Sequence, residues 1–154
     1  MQYKRKLEGR TDYRKRLKLV KSRELRLVVR KALKNIQAQV IEYNENGDKV
    51  ILSASTKELA KKYNLGIPRS NLPSAYLLGL LIGKKSLKKG IKKVIFDSGF
   101  YRNVKGTKIY GVLKGAVDSG LNIPHDKSIL PSNDRILGKH MIEYNKNKSN
   151  KGYK

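Results

Sequence analysis

Charge is what most constrains this chain: 36 lysines and arginines stand against 12 aspartates and glutamates, a net +24 over 154 residues. Like charge at that density repels itself and opposes a compact state, so an anionic polymer is the expected partner. The apolar content still permits folding. Leu, Ile, Val and Phe make up about 27% of the residues, above the roughly 20% below which highly charged chains stay disordered. A chain of this length buries roughly 70% of its extended surface, which suits one domain with a real core.

Several classes of function are set aside by what the sequence lacks. Without cysteine there are no disulfides, thiolate metal sites or cysteine nucleophiles, and His125 and His140 alone do not make a zinc site. No apolar run approaches the roughly 20 residues that span a bilayer; the longest, Leu77 to Ile82, is interrupted by Gly79 and followed by lysines. Residues 1–10 have no apolar stretch of the kind a signal peptide needs. A soluble intracellular protein is expected, with no membrane partner and no cofactor.

The charge is unevenly placed. Residues 1–34 hold fourteen Lys and Arg against Glu8, Asp12 and Glu24, a net +11 on about a fifth of the chain. Residues 1–24 read as a basic arm, 25–144 as a single domain and 145–154 as a disordered basic tail. In the arm, Thr11-Asp12 offers an N-cap for a short helix through Val20. Its stripe of Tyr13, Leu17 and Val20 is too thin to fold unaided, so the arm is expected to order against its ligand.

From Leu25 the pattern becomes strand-like: Leu25 to Arg30, Ile36 to Tyr43 and Lys49 to Ser53, with a tight-turn signal at Asn44-Glu45-Asn46-Gly47. These predict an antiparallel three-strand meander. Ser55-Thr56-Lys57-Glu58 has the form of a capping box and opens a helix to about Tyr63. Asn71-Leu72-Pro73 opens a longer helix with Ala75, Gly79 and Gly83 as a smooth face for close approach to a sheet, stopped by Gly90. Val94 to Phe96 reads as a buried central strand. Thr107 caps a helix from Lys108 to Asp118 ended by Gly120, Leu121 to Ile123 is at most a short strand, and Ser132 caps a final helix through Ile142. The order β-β-β-α-α-β-α-β-α predicts a mixed α/β layer with helices packed on a mixed sheet.

No catalytic constellation stands out. Asp97, Asp118 and Asp126 would have to gather for a two-metal nuclease site, yet each has a local explanation as a strand-end turn, a helix end or a loop residue. The basic features are more informative. Lys84, Lys85, Lys88, Lys89, Lys92 and Lys93 fall within ten residues without an acid, which favours phosphate contact over a merely solvated helix end. In the arm, Tyr3 and Tyr13 with Arg5, Arg10, Arg14 and Arg16 offer rings and guanidinium planes for unpaired bases. Lys4, Lys6, Lys15, Lys18, Lys21 and Arg23 would meet phosphates.

The run Thr11-Asp12-Tyr13-Arg14-Lys15-Arg16-Leu17-Lys18-Leu19, followed by Arg26-Leu27-Val28-Val29-Arg30-Lys31 and Ala38-Gln39-Val40-Ile41, resembles the archaeal L-eighteen family of large-subunit ribosomal proteins. The likeness continues through Ser53 to Leu59, Pro73 to Leu77, Gly83-Lys84-Lys85, Lys88 to Lys92, Lys114 to Leu121 and Ile123 to Asp126, so that it covers roughly residues 3–143. It implies the α/β layering of translational-machinery domains, also called RNase H-like, and a structural role without catalysis. A protein of that family is expected to bind 5S rRNA in the central protuberance, with 23S rRNA and neighbouring large-subunit proteins as further partners, in the cytoplasm. The RNA-binding positions that the resemblance implies are Tyr13, Arg14, Lys15, Arg16 and Lys18 in the arm, Arg26, Arg30 and Lys31 on the first strand, and Lys105 with Lys108. An RNase H-like metal-dependent nuclease, which shares the layering, is the alternative.

Overall fold

The computed structural model describes residues 3–9, 11–63 and 68–150, the last six of these as main chain only. The arm holds two short helices, α1 (Lys4–Leu7) and α2 (Tyr13–Val20). The alternating segment forms the expected meander: β1 (Arg26–Lys31) pairs antiparallel with β2 (Ile36–Glu42), and β2 with β3 (Lys49–Ser55). Gly47, at φ 133°, closes the β2–β3 turn by donating to the Asn44 carbonyl at 3.0 Å.

Helix α3 (Thr56–Tyr63) starts where Ser55 Oγ accepts from the Glu58 amide at 3.2 Å. Only that half of the capping box forms, because the Glu58 carboxylate accepts from Lys85 Nζ instead. Thr56, almost fully buried, accepts from the Ile36 amide at 3.0 Å and so ties the helix start to β2. Helix α4 (Leu72–Lys88) is capped by Asn71, whose side chain accepts from the Ser74 amide at 2.9 Å, and is followed by Gly90 in the left-handed region. Helix α5 spans Lys108–Asp118 as expected, although the Thr107 side chain makes no cap bond.

Several expectations need correction. The small-residue face of α4 packs on α5 and not on the sheet: a Cβ at Gly79 would collide with the Val112 carbonyl, and one at Gly115 with the Tyr76 carbonyl. Glycines on both helices thus bring their backbones into contact, while Leu78 and Ile82 of α4 enter the core. The strand read as central, β4 (Ile95–Asp97), lies at the edge of the order β3-β2-β1-β4, parallel to β1. Its apolar content comes from burial under the helices, with Phe96 against Tyr110, and not from strands on both sides. The expected strand at Leu121 to Ile123 reduces to one bridge between Lys93 and Asn122.

The last correction concerns the C-terminal helix. It breaks at Gly138, φ 74°, into α6 (Asn133–Ile136) and α7 (Lys139–Asn150). The main chain of α7 runs on through six residues assigned from sequence to the unstructured tail, because extending an existing helix adds a hydrogen bond per residue without a new nucleation cost. Residues 151–154 of that tail lie outside the described residues.

Side-chain alternation gives the sheet two unlike faces. Leu27, Val29, Ile36, Ala38, Val40 and Ala54 join α4 and α5 in the hydrophobic core. The other face carries Arg26, Val28, Arg30, Gln37, Gln39 and Ile41, and among the described residues no large helix covers it.

Candidate nucleic-acid interface

The arm lies against that second face. Asp12 caps α2 by accepting from the amides of Arg14 and Lys15 at 3.0 and 3.1 Å, while Thr11 Oγ1 accepts from Arg5 Nε. No residue of α2 is buried and Leu17 is 60% exposed, which agrees with the thin apolar stripe. Charge supplies what apolar packing does not. The Arg16 guanidinium forks onto both oxygens of Asp48, each at 2.9 Å, and Lys15 Nζ donates to Ser98 Oγ and the Gly99 carbonyl. The arm expected to wait for its ligand is therefore docked on its own domain, by contacts of the kind a phosphate also makes.

Between arm and sheet is a cavity of about 260 Å³ lined by Arg5, Lys15, Arg16, Arg26 and Arg30 and by Asp12, Asp48 and Asp97. Arg26, given an RNA contact by resemblance, belongs to the framework. It is buried, donating to Asp48 Oδ2 at 2.7 Å and Asp97 Oδ2 at 3.3 Å, and its Nε has no partner. Burial raises the pKa of Asp48, but the hydrogen bonds and charges of Arg26 and Arg16 outweigh that and hold its carboxyl below the usual range.

The other candidates separate into free and committed cations. Lys4, Lys6, Arg14, Lys18, Lys21 and Arg23 are exposed and make no ion pair among the described residues. Tyr3 and Tyr13 stack on one another, ring centroids 4.7 Å apart, and Tyr3 stays 67% exposed. Arg10 lies outside the described residues. The lysine cluster at the end of α4 divides by helical face. Lys84 and Lys88 point into solvent, whereas Lys85 pairs with Glu58 and bonds the Ser53 carbonyl, and Lys89 bonds the Ile51 carbonyl. Those carbonyls belong to β3, the other edge strand, so two of the six lysines taken as phosphate contacts guard a sheet edge, and a third, Lys93, pairs with Glu24 at 2.7 Å.

Lys31, Lys105 and Lys108, distant in sequence, come together with Arg135 and His140 around a second cleft of about 520 Å³ that no acid lines. Arg135 and His140 were not legible as part of a basic site, because each stands among unrelated neighbours in the chain. Asp48 was likewise missed as the anchor of the arm, although an acid between Gly47 and Lys49 in so basic a chain was the signal available. The carboxylates of the nuclease alternative stay apart. Asp97 serves Arg26 and the Gly99 amide, Asp118 accepts from Tyr76, and Asp126 caps the 3₁₀ turn at Lys127–Ile129. Among the described residues no three His, Asp or Glu side chains are placed to hold a metal ion, and no helix is long and apolar enough to cross a membrane.

A mixed α/β domain with a cationic arm folded over an open, polar sheet face is a scaffold for a polyanion and not for a small substrate. The comparison with known families agrees with the resemblance. The chain belongs to the family of ribosomal large subunit proteins 60S L5 and 50S L18, matching it over residues 1–94 and 88–126, from the arm through α5. This is a structural, non-enzymatic family, whose partners are ribosomal RNA and other ribosomal proteins.

Proposed function

We propose that this chain binds 5S rRNA and helps anchor it in the central protuberance of the large subunit, using the arm and the open face of the sheet. The observation that carries the reading is the distribution of cations: the exposed face of α2 with the segment after it presents Arg14, Lys18, Lys21 and Arg23, none of them in an ion pair among the described residues, although Lys21 and Arg23 share a cleft with Glu24, Glu42 and Glu45. Planar guanidinium groups there suit unpaired bases, and the lysines suit phosphates. The acid-free cleft of Lys31, Lys105, Lys108, Arg135 and His140 suits a separate stretch of RNA backbone, for which 23S rRNA is the candidate.

The test is a competition titration at fixed salt between 5S rRNA and a size-matched structured RNA. Replacing Arg14 by Lys keeps the charge and removes the plane, so preference for 5S rRNA falls by about 1–3 kcal/mol while the salt dependence stays. Equal affinity of the unaltered protein for both RNAs, or for duplex DNA, would reduce it to a generic polycation.

A further inference from the structure

Phe100 is 56% exposed on the loop that leaves β4. A free loop would let such a ring fold down onto apolar surface, but here the residues on either side of it are pinned. The Gly99 amide donates to Asp97 Oδ1 at 2.8 Å, and Lys15 reaches from the arm to Ser98 Oγ at 2.9 Å and the Gly99 carbonyl at 3.1 Å. On the far side, the Tyr101 hydroxyl accepts from the Lys31 amide at 3.1 Å and donates to the Lys31 carbonyl at 2.8 Å. The loop is thus stapled both to the arm and to the end of β1, with one aromatic ring left outward between the staples.

Its surroundings say what that ring is for. Phe100 lies at the cavity between arm and sheet, whose lining includes two exposed cations, Arg5 and Arg30, with Asp48 and Asp97 committed to Arg16 and Arg26 and Asp12 capping α2. Gly99, at φ 60°, makes room for Arg30: a Cβ there would stand 2.6 Å from Arg30 Nη1. Arg26, which also lines this cavity, is only 3% exposed and is held by Asp48 and Asp97, so it does not compete with Arg30 for a ligand. An apolar protein surface laid on Phe100 would have to strip water from Arg30 and offer it nothing. A nucleotide offers a ring for Phe100 and a phosphate for Arg30 together.

We propose that Phe100 is a stacking platform for an unpaired RNA base whose adjoining phosphate is met by Arg30 in the cavity under the arm. The proposal rests on the RNA-binding reading above and adds to it a contact residue.

The chain contains no tryptophan, so Phe100→Trp places a single indole at the proposed contact. Full-length protein is titrated with 5S rRNA and, separately, with a short single-stranded RNA of mixed sequence. With Phe100→Trp, affinity is kept and emission is quenched by both RNAs. With Phe100→Leu, which keeps apolar bulk without the π face, 5S rRNA binds about 5- to 150-fold more weakly with an unchanged salt slope. Undiminished affinity in Phe100→Leu overturns the proposal, whether or not the indole is quenched. So does an indole unmoved at RNA saturation, and one that responds only when other large-subunit proteins are added marks the loop as a protein contact. Should Phe100→Leu melt below the unaltered protein, the indole response decides alone. Quenching by both RNAs without preference for 5S rRNA would keep the platform and discard the 5S reading.

Discussion

Asp48 joins the arm to the domain, and its replacement by Asn tests the reasoning about charge most directly. The substitution keeps size and removes the anion that accepts from Arg26 at 2.7 Å and from Arg16 at 2.9 Å. Removing one partner of a buried ion pair costs about 3–5 kcal/mol, because the other charge stays desolvated. Asp48 retains 22% side-chain exposure and Arg26 keeps Asp97 at 3.3 Å. The expected loss is therefore smaller, about 2–3 kcal/mol. For a chain of this size that lowers the melting temperature by about 4–12 °C. The pH dependence supplies the control. A carboxyl whose folded pKa is depressed below its ordinary 3.8 contributes stability that is present above that value and lost as pH falls through the lower folded one. Calorimetry should thus show the full gap between wild type and variant at neutral pH, closing below about pH 3.8. A gap that persists undiminished well into the acid range would mean that Asp48→Asn destabilises through packing, and the electrostatic account would fail. Arg16→Gln separates the two roles of Asp48. The Arg16 side chain is 35% exposed, so its pair contributes only about 0.2–1 kcal/mol. Amide exchange in α2 should rise while that of β1 and α4 stays unchanged.

Replacing Lys84 and Lys88 by Gln should flatten the salt dependence of RNA binding by about 1.4–1.8 units of slope, since both are free to meet phosphate. The same change at Lys85 and Lys89 should flatten it less and promote self-association by light scattering, because it uncovers the β3 edge. Gly79→Ala should lower stability by about 1–3 kcal/mol or more in denaturant unfolding, as its Cβ has no space against α5. Asn71→Ala should cost about 0.5–2 kcal/mol by the same measurement through loss of the α4 cap, with RNA binding unchanged.

Local information decided the elements. Alternation of β-branched residues set β1 to β3, Asn44 to Gly47 set their turn, and Asn71 with Gly90 bracketed α4, because propensity, capping and turn chemistry act over a few residues. Composition alone called for a polyanionic partner, and the ordered run of short motifs pointed to a large-subunit ribosomal protein, which the family match bears out. Tertiary structure decided which cations are available. Arg26 and Arg30 stand four residues apart on one strand face, yet one is buried between two aspartates and the other is exposed beside Phe100. Lys84 and Lys85 are adjacent in sequence, yet one faces solvent and the other a strand edge. The partners that make the difference, Asp48, Asp97 and the β3 carbonyls, lie more than twenty residues away from the cations they hold. Such pairings arise from the order β3-β2-β1-β4 and from where α4 ends over it, and no pattern of neighbours in the chain encodes them.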